Sequence, residues 1–318
     1  MIKIMPYIVE KPWGGTILRD KLKLPTTSEQ VGELWITSAI DGFESICQGH
    51  KNVINKKKLS LVWEKYPNLF GNYPSEQFPF LIKLLDVCED LSVQVHPNDQ
   101  KAQLLENEQN GKNEAWYILS CAKNSKLILG TNAKNREELA IALSNQKLEQ
   151  KLVYVPIKHG NCFFIEAGTV HALLKPCTVY EIQQTSTITY RLYDFDRLFD
   201  GIPRELHVNK SLECVKFDHV AKKSRATKLS GGVKQIFDTP YFSLFELTNT
   251  LDKPKKIPLL SNYFLVITNI SESAAIINGI QLAPGETCII TKDSLKNTKI
   301  ESKCKLLIAA PANPVVSK

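Results

Sequence analysis

The sequence predicts a mostly β protein in two units: a larger one over residues 1–235 with a few inserted helices, and a smaller one over 236–318. Three observations predict it. Leu91-Ser92-Val93-Gln94-Val95-His96 alternates apolar and polar residues, as a strand with one face in a core does. Short runs rich in Val, Ile, Phe and Tyr recur between Gly, Pro and Asn turns. Helical spacing appears in only a few stretches.

In chain order, residues 1–50 hold short β-like runs. Pro12-Trp13-Gly14-Gly15 reads as a turn, and no Gly-Lys-Ser/Thr follows to make it a phosphate loop. Thr26-Thr27-Ser28-Glu29-Gln30 resembles a helix cap before a strand at 31–36. Leu59, Leu61, Val62, Tyr66 and Leu69 give an amphipathic helix over 58–70. Residues 80–87 read as a buried strand, and Glu89-Asp90 turns it into the alternating stretch. Pro97-Asn98-Asp99 starts a helical excursion to about residue 110. The strand at 111–119 then places Lys112, Glu114 and Trp116 on one face. Further strands are expected near 126–130, 153–157, 178–184 and 187–194, with helices at 135–152 and 205–216. Residues 219–235, rich in Lys, Ser and Gly, read as a linker. Beyond them lie five β-like runs, near 241–247, 263–268, 273–277, 287–291 and 305–309. They contain no histidine, so this unit is expected to be free of metal.

Composition narrows the function. The net charge of +7 is spread over dispersed lysines, which suits a solvated surface better than a nucleic-acid interface. No apolar run is long enough to span a bilayer, and the first residues lack the pattern of a signal peptide, so a cytoplasmic protein is expected. The eight cysteines form no Cys-x-x-Cys pair, which argues for reduced, mostly buried thiols. Gly-x-Ser-x-Gly, His-Glu-x-x-His and a strand-borne Gly-x-Gly-x-x-Gly are all missing, so hydrolase, zinc-protease and dinucleotide readings have no support.

What remains is the polar face of the alternating stretch. A solvent face would carry Lys, Glu or Thr; this one carries Ser92, Gln94 and His96. With Glu114 in the next strand and His171 after Gly168-Thr169-Val170, the donors are N, O, O and N. That set suits zinc or another borderline divalent ion with room for water or substrate. Arg191 shares a polar face with Thr187 and Thr189, and an inward arginine calls for an anion. That anion is either a substrate group or a carboxylate of Asp194, Asp196 or Glu181.

The Gln-x-His…Glu spacing, with the stretch from Gly160 to His171, resembles the paired motifs of the cupin superfamily, in which a β-barrel holds a metal in its mouth. One departure is Glu166, where the second motif usually has proline. Its loss could loosen the turn but removes no ligand. Within that superfamily, Ser92-Val93-Gln94-Val95-His96-Pro97-Asn98-Asp99, Ala167-Gly168-Thr169-Val170-His171-Ala172-Leu173, Glu181-Ile182-Gln183-Gln184 and Thr189-Tyr190-Arg191-Leu192-Tyr193-Asp194 are similar to type I mannose-6-phosphate isomerases of the short bacterial branch. Gly32-Glu33-Leu34-Trp35 and Arg204-Glu205-Leu206-His207 agree with this. The resemblance spans most of residues 10–215 and weakens over 236–318. It implies a cupin (jelly-roll) barrel with inserted helices, followed by a smaller metal-free β-barrel-like domain. It also implies one zinc per chain on His96, Glu114 and His171 with Gln94 as fourth ligand, an active-site Arg191, and Ser92 and Lys112 on the substrate side. The implied reaction interconverts mannose 6-phosphate and fructose 6-phosphate, in a monomer or homodimer that needs no nucleic acid or membrane. Lys112, a metal-bound water and Asp194 all stay open as the base. Arg197, Arg204 and Lys175 are candidates to help hold phosphate. Rivals are a cupin oxygenase using iron on similar ligands and a non-catalytic sugar-phosphate-binding cupin.

Overall fold

The computed structural model describes residues 1–49, 53–199, 201–250 and 253–313. It is mostly β, as expected. Four sheets stack face on face, and each gap between them is filled by apolar side chains. The outermost has five strands, in the order Leu152–Pro156, Lys126–Thr131, His171–Leu173, Val93–Val95, Tyr190–Tyr193. Next comes a six-stranded sheet: Cys162–Ile165, Glu114–Cys121, Cys177–Gln184, Phe80–Val87, Val31–Thr37, Tyr7–Gly15. Strands Phe242–Asn249, Cys304–Pro311, Leu265–Asn269 and Thr287–Ile290 form the centre of a nine-stranded third sheet. A four-stranded sheet that includes Ala275–Ile277 and Ile280–Leu282 covers its far side.

Alternation along the strands explains the layering. In Glu114–Cys121, Trp116 and Ile118 face the five-stranded sheet with Leu127, Leu129 and Leu173. The intervening Ala115 and Tyr117 face the nine-stranded sheet with Leu244, Val266 and Leu307. The six-stranded sheet is therefore covered on both faces, which is why its strands read as nearly continuous apolar runs. Val93 and Val95 turn the other way, against Leu139, Leu148 and Leu212 of the helical segments that cover the outer sheet.

Several local expectations change. Pro12 to Gly15 are not a free turn. They belong to the strand Tyr7–Gly15, in which Glu10 and Gly15 both register with Val31, so residues 11–14 bulge from the ladder. A Cβ on Gly14 would stand 2.4 Å from the Gly32 nitrogen, so glycine permits this close approach. Residues 26–30 cap no helix; a short helix, Ile17–Leu22, comes earlier. The 58–70 segment is a helix Leu59–Lys65 and a 3-10 turn Pro67–Phe70, parted at Pro67, whose ring cannot continue an α-helix. The 135–152 segment likewise divides into Arg136–Ser144 and a 3-10 turn Leu148–Lys151, and the last helix is Val208–Cys214. Leu91 lies before the strand Val93–Val95 and packs with the inner cluster, not with Val93. Residues 187–189 precede the strand Tyr190–Tyr193. The 219–235 segment is tied down: Val220 bridges to Gly130, Lys223 bridges to Phe163, and Thr227–Lys228 joins the third sheet. All eight cysteines are unpaired and six are buried.

Candidate metal centre

Between the five- and six-stranded sheets, three side chains converge. His96 follows the strand Val93–Val95, Glu114 opens the strand Glu114–Cys121, and His171 opens His171–Leu173. Their exposures are 1, 0 and 0%. Glu114 Oε2 stands 3.4 Å from His96 Nε2, and Oε1 stands 3.4 Å from His171 Nε2. One ligand atom from each residue can be chosen so that all three lie within 4.8 Å of one another. Each imidazole is anchored from behind: His96 Nδ1 donates to the Ile188 carbonyl and His171 Nδ1 to the Thr169 carbonyl, both at 2.9 Å. These bonds put the proton on Nδ1 and leave the Nε2 lone pairs aimed at the carboxylate, the tautomer a metal requires.

The electrostatics agree. Burial, together with the Lys112 ammonium, pushes His96 down to about 3, and burial lowers His171 as well. Burial alone would raise Glu114, but the Lys112 charge and the two imidazoles outweigh it and hold the carboxyl well below its usual range. Neutral imidazoles and an ionised carboxylate are the forms that ligate. Neither Glu114 oxygen has a well-aligned hydrogen-bond donor, and a buried charge left so calls for a cation. Lys112 Nζ partly answers, 2.8 Å from Glu114 Oε2 and 3.0 Å from His96 Nε2. The donor set fits a divalent ion.

Register places the other predicted residues. Gln94 sits opposite His171 on one side and Arg191 on the other, so the three form a row across one sheet face. The Gln94 amide nitrogen is 3.2 Å from His171 Nε2, and a half-turn of the amide brings the carbonyl oxygen there instead. Ser92 is buried just before the strand. Arg191 donates to the Glu205 carbonyl at 2.5 Å, while its Nε is buried without an acceptor. Burial and the nearby Arg204 lower its pKa. Two of the carboxylates weighed as partners for Arg191 are otherwise engaged: Asp194 holds Arg197 at 2.6 Å and Arg204 at 2.5 Å, and Glu181 holds Lys83 at 3.1 Å. Lys175 pairs with Glu89.

Sequence reasoning missed a second buried charge group in the six-stranded wall. Lys83 lies between Glu181 and Glu33, 3.7 Å from the latter, with its ammonium 5.0 Å from the centre of the Trp35 ring. Glu33 accepts from Trp35 Nε1 at 2.6 Å and Glu181 from Trp116 Nε1 at 2.9 Å. The Trp116 ring meets His171 edge-on at 5.4 Å, joining this group to the ligand set. The available signal was a lysine within the apolar run 80–87 and a glutamate within 31–36.

Fold and site together define a β protein with a buried histidine–carboxylate centre of metal-binding type. The family model for the phosphomannose isomerase type I catalytic domain matches residues 1–151. The chain is 36% identical to a protein of Bacillus subtilis (strain 168) described as "Probable mannose-6-phosphate isomerase GmuF", over 96% of this chain and 98% of that one. It is 40% identical to mannose-6-phosphate isomerase ManA of the same organism, over 69% of each. A crystal structure of the mannose 6-phosphate isomerase from Bacillus subtilis superimposes with a TM-score of 0.90 at 32% identity, covering 97% of this chain and 99% of that one. The chain belongs to the type I mannose-6-phosphate isomerase family, and it is an enzyme.

Proposed function

We propose that this chain interconverts mannose 6-phosphate and fructose 6-phosphate through an enediol, with one zinc ion per chain held by His96, Glu114 and His171 and with Gln94 as fourth ligand. The observation that carries the reading is the convergence of two Nδ1-anchored imidazoles on one fully buried carboxylate that only the Lys112 ammonium pairs with. When bound, the ion would supply Lewis-acid stabilisation of negative charge on the sugar oxygens. The chain's own residues do the rest. In the aldose-to-ketose direction C2 loses a proton and C1 gains one, while the O2 hydroxyl proton passes to O1. The charge that builds on oxygen is met by fixed positive groups in a buried setting, where they are worth most. Arg191, with its unpaired Nε, is the group for the enediolate or the phosphate. Lys112 Nζ and the Ser92 hydroxyl hold the sugar, and Glu114 keeps Lys112 in place.

The two-sheet unit that carries this site corresponds to a cupin barrel, and residues 236–318 to a metal-free β domain. The division near residue 235 is one of chemistry and not of the sheets, because Ile2–Met5 pairs with Thr287–Ile290. Among the described residues no helix is long and apolar enough to cross a membrane. A cytoplasmic monomer or homodimer acting on a small phosphorylated sugar is the setting we propose.

The test is a coupled assay for fructose 6-phosphate formed from mannose 6-phosphate, with and without a chelator. Turnover that disappears on metal removal and returns with zinc is expected. No turnover by zinc-loaded protein would sink the isomerase reading, and turnover that survives verified metal removal would sink the zinc.

A further inference from the structure

Each of the three ligands arrives on a different segment of chain, and something must hold the segments in mutual register. Backbone bonds contribute: Gly168 N donates to the His96 carbonyl and Lys112 N to the Pro97 carbonyl, each at 2.9 Å. Gly111 lets the two segments approach, since a Cβ there would stand 2.4 Å from the Asn98 carbonyl carbon. The remaining links pass through side-chain amides. Asn113 Oδ1 accepts from Ala167 N at 2.9 Å, in the loop that leads to His171. Asn113 also donates to Gln184 Oε1 twice, from its backbone N at 2.9 Å and from Nδ2 at 2.8 Å. Gln184 Nε2 in turn donates at 2.9 Å to Oδ1 of Asp99, the first residue of the helix Asp99–Glu106 that follows His96, and the same oxygen accepts from Gly111 N at 2.8 Å. Asn113 is itself the residue before Glu114.

We propose that Asn113, acting with Gln184, is the positioning residue of the metal centre: one buried amide locks the His96, Glu114 and His171 segments together. The proposal rests on reading those three residues as the ligands. Asn113 does not touch the site. Gln183 registers with Glu114, so Gln184 and Asn113 fall on the opposite face of the sheet from the cavity. Both amides are buried, at 2 and 5% exposure. Their bonds therefore cannot be replaced by water without opening the sheet. Truncating Asn113 leaves the Ala167 N–H without its acceptor and removes one of the two donors to Gln184 Oε1, so the loop before His171 is free to shift relative to Glu114. Groups behind the ligands of a metal site commonly govern its affinity by about 10- to 100-fold.

Metal-stripped wild type, Asn113→Ala and Asn113→Asp are compared by zinc competition against a chromogenic chelator and by the visible spectrum of the cobalt(II) forms. Tyr117→Phe is the control. It removes the Tyr117 hydroxyl, with its 2.7 Å bond to Glu246 and the 2.8 Å bond it accepts from Lys305, from the Glu114 strand itself but on the face turned away from the ligands, without touching the links between the ligand segments. Asn113→Ala is expected to weaken zinc by about 10- to 100-fold and to change the cobalt spectrum. Asn113→Asp keeps the acceptor for Ala167 N but loses the Nδ2 donor, so it should fall between Asn113→Ala and wild type. It also carries the test if Asn113→Ala does not fold. Tyr117→Phe should lower the melting temperature of the metal-free protein yet hold zinc within about twofold of wild type. Wild-type affinity and spectrum in the asparagine variants, or an equal loss in Tyr117→Phe, overturns the positioning role. Wild type that binds no zinc overturns the ligand reading itself.

Discussion

Of the three sheet-to-sheet interiors among the described residues, the two at the ends of the stack are built on opposite principles. Between the nine- and four-stranded sheets, Phe245, Leu247, Ile267, Ile277, Leu282, Ile290, Leu306 and Ile308 fill the gap with hydrocarbon. Between the five- and six-stranded sheets the far side is equally apolar, but the near side buries Lys83, Lys112, Glu114, Glu181, His96 and His171. Hydrocarbon burial stabilises at about 25 cal/mol per Å², whereas an ionised group taken from water costs several kcal/mol unless it is paired. Two interiors of similar construction thus differ in what their residues contribute. One stabilises the fold; the other uses part of that stability to hold charges where a ligand can meet them.

Glu114→Gln keeps the shape of the charged interior and removes its central negative charge. Turnover should fall by about 10²–10³-fold or more, and bound zinc should be lost along with it, read by steady-state kinetics and metal analysis. Retention of both would mean that the buried charges serve packing alone. Arg191→Ala should lower kcat/KM by about 10²-fold with zinc content unchanged, and Arg191→Lys should recover only part because the planar fork is lost. Full activity in Arg191→Ala would remove this residue from the mechanism. In the apolar interior the expected pattern inverts. Ile267→Ala should cost about 2–5 kcal/mol of stability by denaturant titration while zinc affinity and kcat stay at wild-type values below the new midpoint.

The smallest effect is a slope. In the metal-free protein the folded state holds His96 near 3, below the ordinary histidine value of 6.5, and His171 is lowered too. Between those pH values the unfolded chain binds more protons than the folded one. Stability should therefore decline as pH falls from about 6.5 toward 3. His96→Asn should flatten the dependence of melting temperature on pH, and Ile267→Ala should lower the whole curve without changing its slope. A slope unaltered by His96→Asn would assign the acid sensitivity elsewhere.

The cluster of His96, Glu114 and His171 was legible because a metal site calls for particular residue types that converge. His96 and Gln94 two residues apart, and His171 after a glycine turn, survive as a pattern in one dimension. The predominance of strands was legible for the same reason, since period-two alternation is local. What was not legible depends on distant partners. Asn113 and Gln184 are separated by 71 residues and look like any amides until the sheet brings them together. Lys83 and Glu181 register across two neighbouring strands, and nothing near either one in sequence announces the pair. Arg191 illustrates the converse. Nearby carboxylates suggested ion pairs, but Asp194 is engaged by Arg197 and Arg204, which leaves the Arg191 guanidinium with an unmet donor. The bulge at residues 11–14 and the parted helices depend on side chains from other strands or on proline geometry, and spacing rules average over both.

The pairing of Ile2 with Ile289 also sets an order of events during synthesis. The strand Ile2–Met5 leaves the ribosome long before Thr287–Ile290, the neighbour that closes its ladder on that side. Until then its backbone donors and acceptors lie open along an edge, and long-range closure of this kind is slow. The later-made strand Thr287–Ile290 thus works as a clasp on the strand Ile2–Met5. A chain truncated before residue 287 is expected to expose that edge and to aggregate, even though every proposed metal ligand precedes the cut.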